Sequence, residues 1–290
     1  MNYYSLFCHL LYFYEKRKMD FSIKLQSGMI LRGMINSPGT DIRAMVILVH
    51  GLGDHTGRFT SWVDKFSEEG IGVTGLDLPG HGKSDGRRGV IRNYNQTDEM
   101  LDLLLKEYVK TFPGVPVFIY GHSLGGGIVL KYILGRNPEI SGAIITSPWL
   151  RLPFEPGKYK VMLAKVMSVI FPGFVQPSGL ITDHISRDKD IVEAYRMDPL
   201  VHDKISAGLF ASAVSAASYI SNNIRLLKVP VLLMHGSDDL ITSPDASIEL
   251  ASESDLIDLK IWDGGYHELH NEPFREDVFV YIINWIRGHI

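Results

Sequence analysis

Val115-Pro116-Val117-Phe118-Ile119-Tyr120-Gly121-His122-Ser123-Leu124-Gly125 decides how this chain is read. An apolar strand, Val115 to Tyr120, runs into a sharp turn with a serine at its tip, and a helix, Leu124 to Leu134, leaves it. In that context Gly-x-Ser-x-Gly marks a candidate nucleophile at the end of a strand of an α/β sheet. Glycines at both ends let the backbone turn tightly and let helix and strand approach. The bland alternative is a Gly-rich turn with a capping serine. A serine hydroxyl is a weak nucleophile alone, so a base and an oxyanion site must be found elsewhere.

Working outward, strands and helices alternate. Phe21–Leu25 and Met29–Asn36 flank Ser27-Gly28 as a hairpin. Met45–Val49 is continuously apolar, as a strand covered on both faces must be, and Val73–Leu76 is a shorter run. Helices are predicted over Phe59–Glu69 and Gln96–Thr111, the second with Leu101, Leu104, Leu105 and Tyr108 on one face. The strand Ala143–Thr146 follows. The alternation resumes with strands Val231–Met234 and Leu259–Trp262 and a helix from Phe274 to Arg287. This order predicts a mostly parallel, doubly wound sheet with an antiparallel edge. Between Trp149 and Val229 lies far more chain than a crossover needs, with helical spacing over Lys160–Ile170. That stretch reads as an inserted, mainly helical cap over the carboxyl ends of the strands, where ligands of open α/β sheets sit. The expected domains are a core of residues 21–148 and 230–290, a cap of 149–229, and an N-terminal extension of 1–20.

The 290 residues fit one large domain with an insertion, and 45% apolar and 21% charged residues describe an ordinary globular chain. A net charge of -4, with Lys and Arg scattered apart from Lys16-Arg17-Lys18, which reads as a solvated patch, argues against nucleic-acid binding. The single cysteine, Cys8, excludes an intramolecular disulfide and any Cys-based metal site. It fits a reducing compartment, and the expectation is a cytoplasmic protein, at most peripheral to a membrane. Tyr3 to Tyr14 is nearly all apolar but too short to span a bilayer, and its basic residues follow it rather than precede it as in a signal peptide. It reads as a membrane-touching flank or as sequence upstream of a start at Met19, with the second preferred.

Parallel strands end on one edge, so the loops after them meet. After Val49 comes His50-Gly51-Leu52-Gly53; after Met234 comes His235-Gly236-Ser237-Asp238-Asp239; after Trp262 comes Asp263-Gly264-Gly265-Tyr266-His267. With Ser123 they give the chain order Ser, Asp, His of a nucleophile-elbow hydrolase. His267 is the expected general base, and Asp238 and Asp239 compete to orient it. Backbone N–H groups of Leu52 and Leu124 are the expected oxyanion donors. No residue grouping has metal-ligand spacing, and a serine hydrolase needs neither metal nor cofactor. His50 is read as bonding backbone, His81 as stabilising its turn, His122 as lying on the other side of the nucleophile turn, and His235 as packing under the acid loop. Asp77 and Asp85 are read as turn and cap residues.

These pieces together resemble α/β-hydrolases of the monoacylglycerol lipase and lysophospholipase group, also labelled serine aminopeptidase S33-like. The resemblance rests on His50 to Arg58, Asp77 to Ser84, Gly121 to Gly126, Asp198-Pro199-Leu200-Val201, Gly236 to Asp239 and Tyr266 to Glu272. It covers Phe21 to the C-terminus. It implies that the acid is Asp239 and the base His267. It also implies a polar pocket end near Asp54, His55, Arg58 and His270, with Asp54 one methylene shorter than the family's Glu. Trp149 and Leu150 are expected to line an acyl pocket. The implied activity is a serine carboxylic ester hydrolase for single-acyl-chain lipids, monoacylglycerol first, through an acyl-serine intermediate. Alternatives are a lysophospholipase or general carboxylesterase, an aminopeptidase or amidase using Glu155, Asp183, Asp188 or Asp190, and a non-catalytic ligand-binding member of the fold. The apolar cap run Val161-Met162-Leu163, Val166-Met167, Val169-Ile170-Phe171 is expected to pack on the core, with a lid that lines an acyl channel and touches a membrane surface as the alternative.

Overall fold

The computed structural model describes residues 17–39, 41–153, 162 and 166–290. Readings that fall on the N-terminal apolar run, Cys8, Glu155 and most of the 160–165 segment lie outside the described residues.

An eight-stranded sheet has the order β1-β2-β4-β3-β5-β6-β9-β10. Its strands are β1 (Arg17–Lys24), β2 (Ile30–Ser37), β3 (Ala44–Val49), β4 (Ile71–Leu76), β5 (Val117–His122), β6 (Gly142–Thr146), β9 (Val231–Gly236) and β10 (Ile257–Trp262). β1 pairs antiparallel with β2, and β2 with β4. The other neighbours pair in parallel. The sheet is therefore mostly parallel with an antiparallel edge, as the alternation of elements predicts. β1 starts earlier than the sequence suggests. Arg17 pairs with Ser37, so residues assigned to an N-terminal extension complete the edge ladder.

The continuous apolar strands are explained by two cores, one on each face. Along β3, Met45, Ile47 and Val49 join one cluster while Ala44, Val46 and Leu48 join the other. Burying each such aliphatic side chain contributes about 1.5–3 kcal/mol. The first cluster is closed by α2 (Asn95–Thr111), α3 (Leu124–Arg136) and α5 (Ala207–Asn223). The second is closed by α1 (Thr60–Glu68) and α7 (Arg275–Arg287). The sequence reading missed α6 (Pro244–Ala251), although Ser243 caps it by accepting from the Ala246 N–H and Pro244 stands in its first turn.

Between β6 and β9 lie a helical stretch at 166–170, a small antiparallel ribbon of β7 (Val175–Pro177) with β8 (Lys204–Ser206), α4 (Lys189–Met197) and then α5. The sequence reading counted α5 into the cap. In the fold its Leu209, Ala213, Ala216 and Ile220 are buried in the main core beside α3. The reason is the β6-to-β9 crossover, which needs a helix lying on the sheet. The part of the insertion that leaves the core layers ends near 206.

β3 lies between β4 and β5, so the chain leaves it in opposite directions and opens a crevice at the carboxyl ends. The loop after β3 and the turn after β5 flank that crevice.

Candidate active site

The turn after β5 holds Ser123 at φ 55°, ψ -118°, a region that a side chain enters only under constraint. Its N–H donates to Thr146 O at 2.9 Å, and its carbonyl accepts from Gly127 N and Trp149 N at 3.1 and 3.0 Å. Gly125 is required by space: a Cβ there would lie 2.2 Å from Val49 O. The α3 start is thereby pressed against the end of β3.

Opposite Ser123 runs the loop after β3. A Cβ on Gly51 would sit 3.2 Å from Ser123 Cβ, so only glycine allows this approach without displacement. Below the loop, Leu78 N–H donates to His50 Nε2 at 2.9 Å, which leaves the proton on Nδ1 to donate to Gly51 O at 2.8 Å. Leu124 occupies the first position of α3, where an N–H has no intrahelical acceptor. Among the described residues neither the Leu52 nor the Leu124 N–H meets a backbone acceptor outside its own element.

His267, in the turn after β10, places Nε2 2.8 Å from Ser123 Oγ and Nδ1 2.7 Å from Asp239 Oδ2. Asp239 and His267 are both buried, and the Ser123 side chain is nearly so. Of the two aspartates after β9, Asp239 meets the imidazole. Asp238 is exposed and, among the described residues, accepts from its neighbour Ser237 Oγ alone. Asp239 Oδ1 accepts from the N–H groups of Ile241 and Thr242 at 2.7 and 3.0 Å, and Thr242 Oγ1 reaches Oδ2 at 3.0 Å. Burial alone would raise this carboxyl. The His267 charge and hydrogen bonds from His235 and His267 overcome that and hold it well below the usual carboxylate range. This arrangement can take a proton from Ser123 Oγ onto a fixed imidazole.

Arg58 sends two N–H groups to the Glu268 carboxylate, both at 2.7 Å, and one to Asp54 Oδ1 at 3.1 Å. It also lies over the Tyr195 ring, 4.6 Å from the centroid. Burial works against the charged forms of both partners, but each other's charge outweighs it, lowering the Glu268 carboxyl and raising Arg58. Arg58, expected at the substrate's polar end, is thus engaged in tying the loop after β3 to the loop after β10. Asp54 Oδ2 is buried and has no partner among the described residues. His55 accepts from Gly57 N–H and donates from Nε2 to Asp198 Oδ2 at 2.9 Å. With the His202 N–H to Gly53 O bond of 3.0 Å, this latches the insertion onto the same loop.

His270 stacks on Phe59 at 4.3 Å and stands edge-on to Trp62 and His122. Neither of its ring nitrogens has a partner among the described residues. Burial pushes it down to about 4, despite the pull of Glu268. His122 bonds Thr146 Oγ1 at 3.0 Å, and burial with the neighbouring His267 and His270 keeps it neutral. Trp149 packs against Phe210 and, with Leu150, Leu152, Val214 and Ala217, lines a groove of about 680 Å³. A second cavity of about 330 Å³ lies beside Leu52, walled by Tyr195, Val201 and His202. Among the described residues no group of three or more His, Cys, Asp or Glu side chains could hold a metal ion.

Sequence reasoning overlooked Glu268, Thr242 and the direct bond from His235 to the acid. The partner of Glu268 stands 210 residues away, so no local pattern announces it. His235 was read as packing; its four-residue spacing from Asp239 was the available signal.

Known proteins are similar to this chain in sequence and in fold. A family model described as serine aminopeptidase, S33, matches residues 40–274. A monoacylglycerol lipase of Mycolicibacterium smegmatis is 32% identical over 257 residues, 88% of this chain and 91% of that protein. An abhydrolase domain-containing protein of Dictyostelium discoideum is 34% identical over 85% of this chain, which spans only 26% of that protein's length. The crystal structure of Paleococcus ferrophilus monoacylglycerol lipase superposes with a TM-score of 0.81 at 34% identity, covering 95% of this chain and 100% of that one.

Proposed function

The chain belongs to the serine aminopeptidase S33 family of α/β-hydrolases, in its monoacylglycerol-lipase-like part, and from that premise we propose how it works and on what. It is an enzyme that hydrolyses lipid esters, with monoacylglycerol the leading single-chain substrate. The single observation that carries the mechanism is the unbroken chain of contacts from Ser123 Oγ to His267 to Asp239, 2.8 and 2.7 Å. Ser123 attacks the ester carbonyl while its proton passes to His267 Nε2. Asp239 keeps the other imidazole proton on Nδ1 and stabilises the imidazolium. The Leu52 and Leu124 N–H groups hold the oxyanion, each donor lowering the barrier by about 3–4 kcal/mol. The imidazolium returns its proton to the departing alkoxide, leaving an acyl-serine. Water, deprotonated by the same His267, then releases the fatty acid.

The insertion serves as the cap over this site. Asp54 Oδ2, buried and without a partner among the described residues, is the acceptor for the substrate's free hydroxyls. Peptide substrates would need an acid to hold a free amino terminus. Of the acids considered for that role, Asp183 pairs with Arg196, and Asp188 caps α4 and pairs with Arg275. Val169, Ile170, Phe171 and Phe174 are exposed on the insertion, which favours contact of that face with a lipid surface. No helix among the described residues is long and apolar enough to cross a membrane.

A fluorophosphonate probe should label the folded protein and not Ser123→Ala. Purified enzyme should hydrolyse monoacylglycerol in preference to amino-acid amides; the reverse preference overturns the substrate assignment. Asp239→Asn should lower turnover by about 10⁴-fold and Asp238→Asn should barely change it. A damaging Asp238→Asn beside a harmless Asp239→Asn overturns the acid.

A further inference from the structure

A second imidazole holds the acid. His235 lies in β9 with no accessible surface. Its Nε2 is 3.0 Å from Asp239 Oδ2, the oxygen that His267 Nδ1 approaches at 2.7 Å. An ionised carboxylate offers only lone pairs, so a nitrogen at this distance must carry its proton. The remaining nitrogen, Nδ1, lies 2.7 Å from Ser247 Oγ on α6. A neutral imidazole protonated at Nε2 accepts there, so the Ser247 hydroxyl donates. The directions are then fixed: Ser247 to His235, His235 to Asp239, His267 to Asp239, Ser123 to His267.

The two oxygens of Asp239 are held differently. Oδ1 takes the backbone N–H groups of Ile241 and Thr242, which belong to the acid's own turn. Oδ2 faces the base, and His235 brings it a charge-assisted N–H from the sheet itself. Such bonds are roughly twice as strong as neutral ones and fix the carboxylate plane. A donor on this oxygen also draws charge from it, making it a weaker acceptor for the His267 proton.

We propose that His235 is a positioning residue for the reaction, donating from Nε2 to Asp239 Oδ2 so that a second imidazole, itself oriented by Ser247, sets both the direction and the basicity of the acid. The inference rests on the reading of Asp239 as the catalytic acid. The other groups facing the pair are His122 from β5, Glu268 and His270 from the base loop, Arg58 from the oxyanion loop and the Thr242 hydroxyl from the acid loop. The Thr242 hydroxyl also lies 3.2 Å from His235 Nε2, so it is the one group of this set that His235 itself touches.

His235→Leu keeps the volume and removes the donor; His235→Gln restores an N–H at a similar reach. The Leu variant should lose about 10- to 100-fold in kcat/KM, the rate equivalent of one charge-assisted hydrogen bond. The acid limb of its pH profile should move up by about half to one unit, because the carboxylate becomes a stronger acceptor for the imidazole proton. The Gln variant should recover most of the rate and return the limb. In ¹⁵N-histidine NMR the wild-type protein should show His235 protonated on Nε2, and the Leu variant should shift the His267 N–H resonance. Equal damage in both variants with an unmoved limb, or a Leu variant of wild-type rate, overturns the proposal. So does a wild-type spectrum with the His235 proton on Nδ1, which needs no variant to fold. Wild-type turnover in Asp239→Asn would instead remove the acid assignment itself, and the role of His235 with it.

Discussion

Glu268→Gln tests whether the buried ion pair under the base is a structural tie. The substitution keeps shape and one hydrogen-bonding oxygen but deletes the charge that meets Arg58 twice at 2.7 Å. Both side chains are nearly inaccessible, at 9% and 4%. Breaking such a pair from one side costs about 3–5 kcal/mol, because the guanidinium stays buried and under-compensated. Asp54 still accepts one Arg58 N–H at 3.1 Å, so the loss belongs at the lower end, about 3 kcal/mol. For 290 residues unfolding with about 2.1 cal/mol/K per residue, that is a fall in midpoint of about 5 °C.

The pH dependence supplies a second check. Arg58 holds the Glu268 carboxyl below its ordinary value of 4.5, so folding favours the ionised form. That stability is fully present above pH 4.5 and is lost as the pH falls through the lower, folded-state value. Wild type and Glu268→Gln should differ most near pH 7 and converge in acid. Urea unfolding at a series of pH values measures both. A difference under about 1 kcal/mol at pH 7, or one that does not narrow on acidification, would refute the reasoning. Replacing both partners, Arg58→Met with Glu268→Leu, should recover only part of the loss, since it removes the stranded guanidinium but takes from the buried Asp54 carboxylate its Arg58 partner.

Two further outcomes follow from single contacts. Gly51→Ala places a methyl 3.2 Å from Ser123 Cβ; the displaced oxyanion loop should lower kcat about tenfold or more with little change in KM, read from steady-state kinetics. His270→Phe should keep the stack on Phe59 while removing an acid liability. The imidazole falls from 6.5 to about 4 on folding, so its contribution is intact above pH 6.5 and shrinks as the pH drops toward 4. That amounts to about 2 kcal/mol by pH 5, and the melting temperature of the Phe variant should depend less on pH over that interval.

The strands and most core helices were legible because their signals are local: apolar runs covered on both faces, helical spacing, and glycines at turns. Ser123 and His267 could be named because parallel strands deliver successive loops to one edge, which makes chain order a guide to proximity; the same logic left Asp238 and Asp239 competing, and only the family resemblance chose between them. What stayed hidden depends on contacts between distant segments. α5 has an apolar face like any crossover helix, and only the paired sheet tells that it lies in the core layer. Arg58 matches a family position beside the substrate's polar end, yet its fork is occupied by a glutamate from another loop. His235 sits at a strand end where packing was the simplest reading, and its hydrogen bond to Asp239 needs the acid's turn to curl back.

The segment from Thr146 to Trp149 contains no group expected to react, yet it touches every loop that does. Thr146 O accepts the Ser123 N–H and the Trp149 N–H returns to Ser123 O, while Thr146 Oγ1 meets His122 and Tyr120. Ser147, at φ 45°, donates its hydroxyl to His267 O at 2.7 Å. Its N–H donates to Met234 O, and its carbonyl accepts from Thr242 Oγ1. A non-glycine residue in the left-handed region costs about 1–3 kcal/mol and persists only where its surroundings over-determine it. Here the surroundings are the base loop, the acid loop and the strand that carries the acid. The strain at Ser123 and at Ser147 is offset by one set of bonds, so Ser123, Asp239 and His267 cannot shift independently. That mutual bracing is the physical reason three side chains separated by up to 144 residues meet at hydrogen-bonding distance.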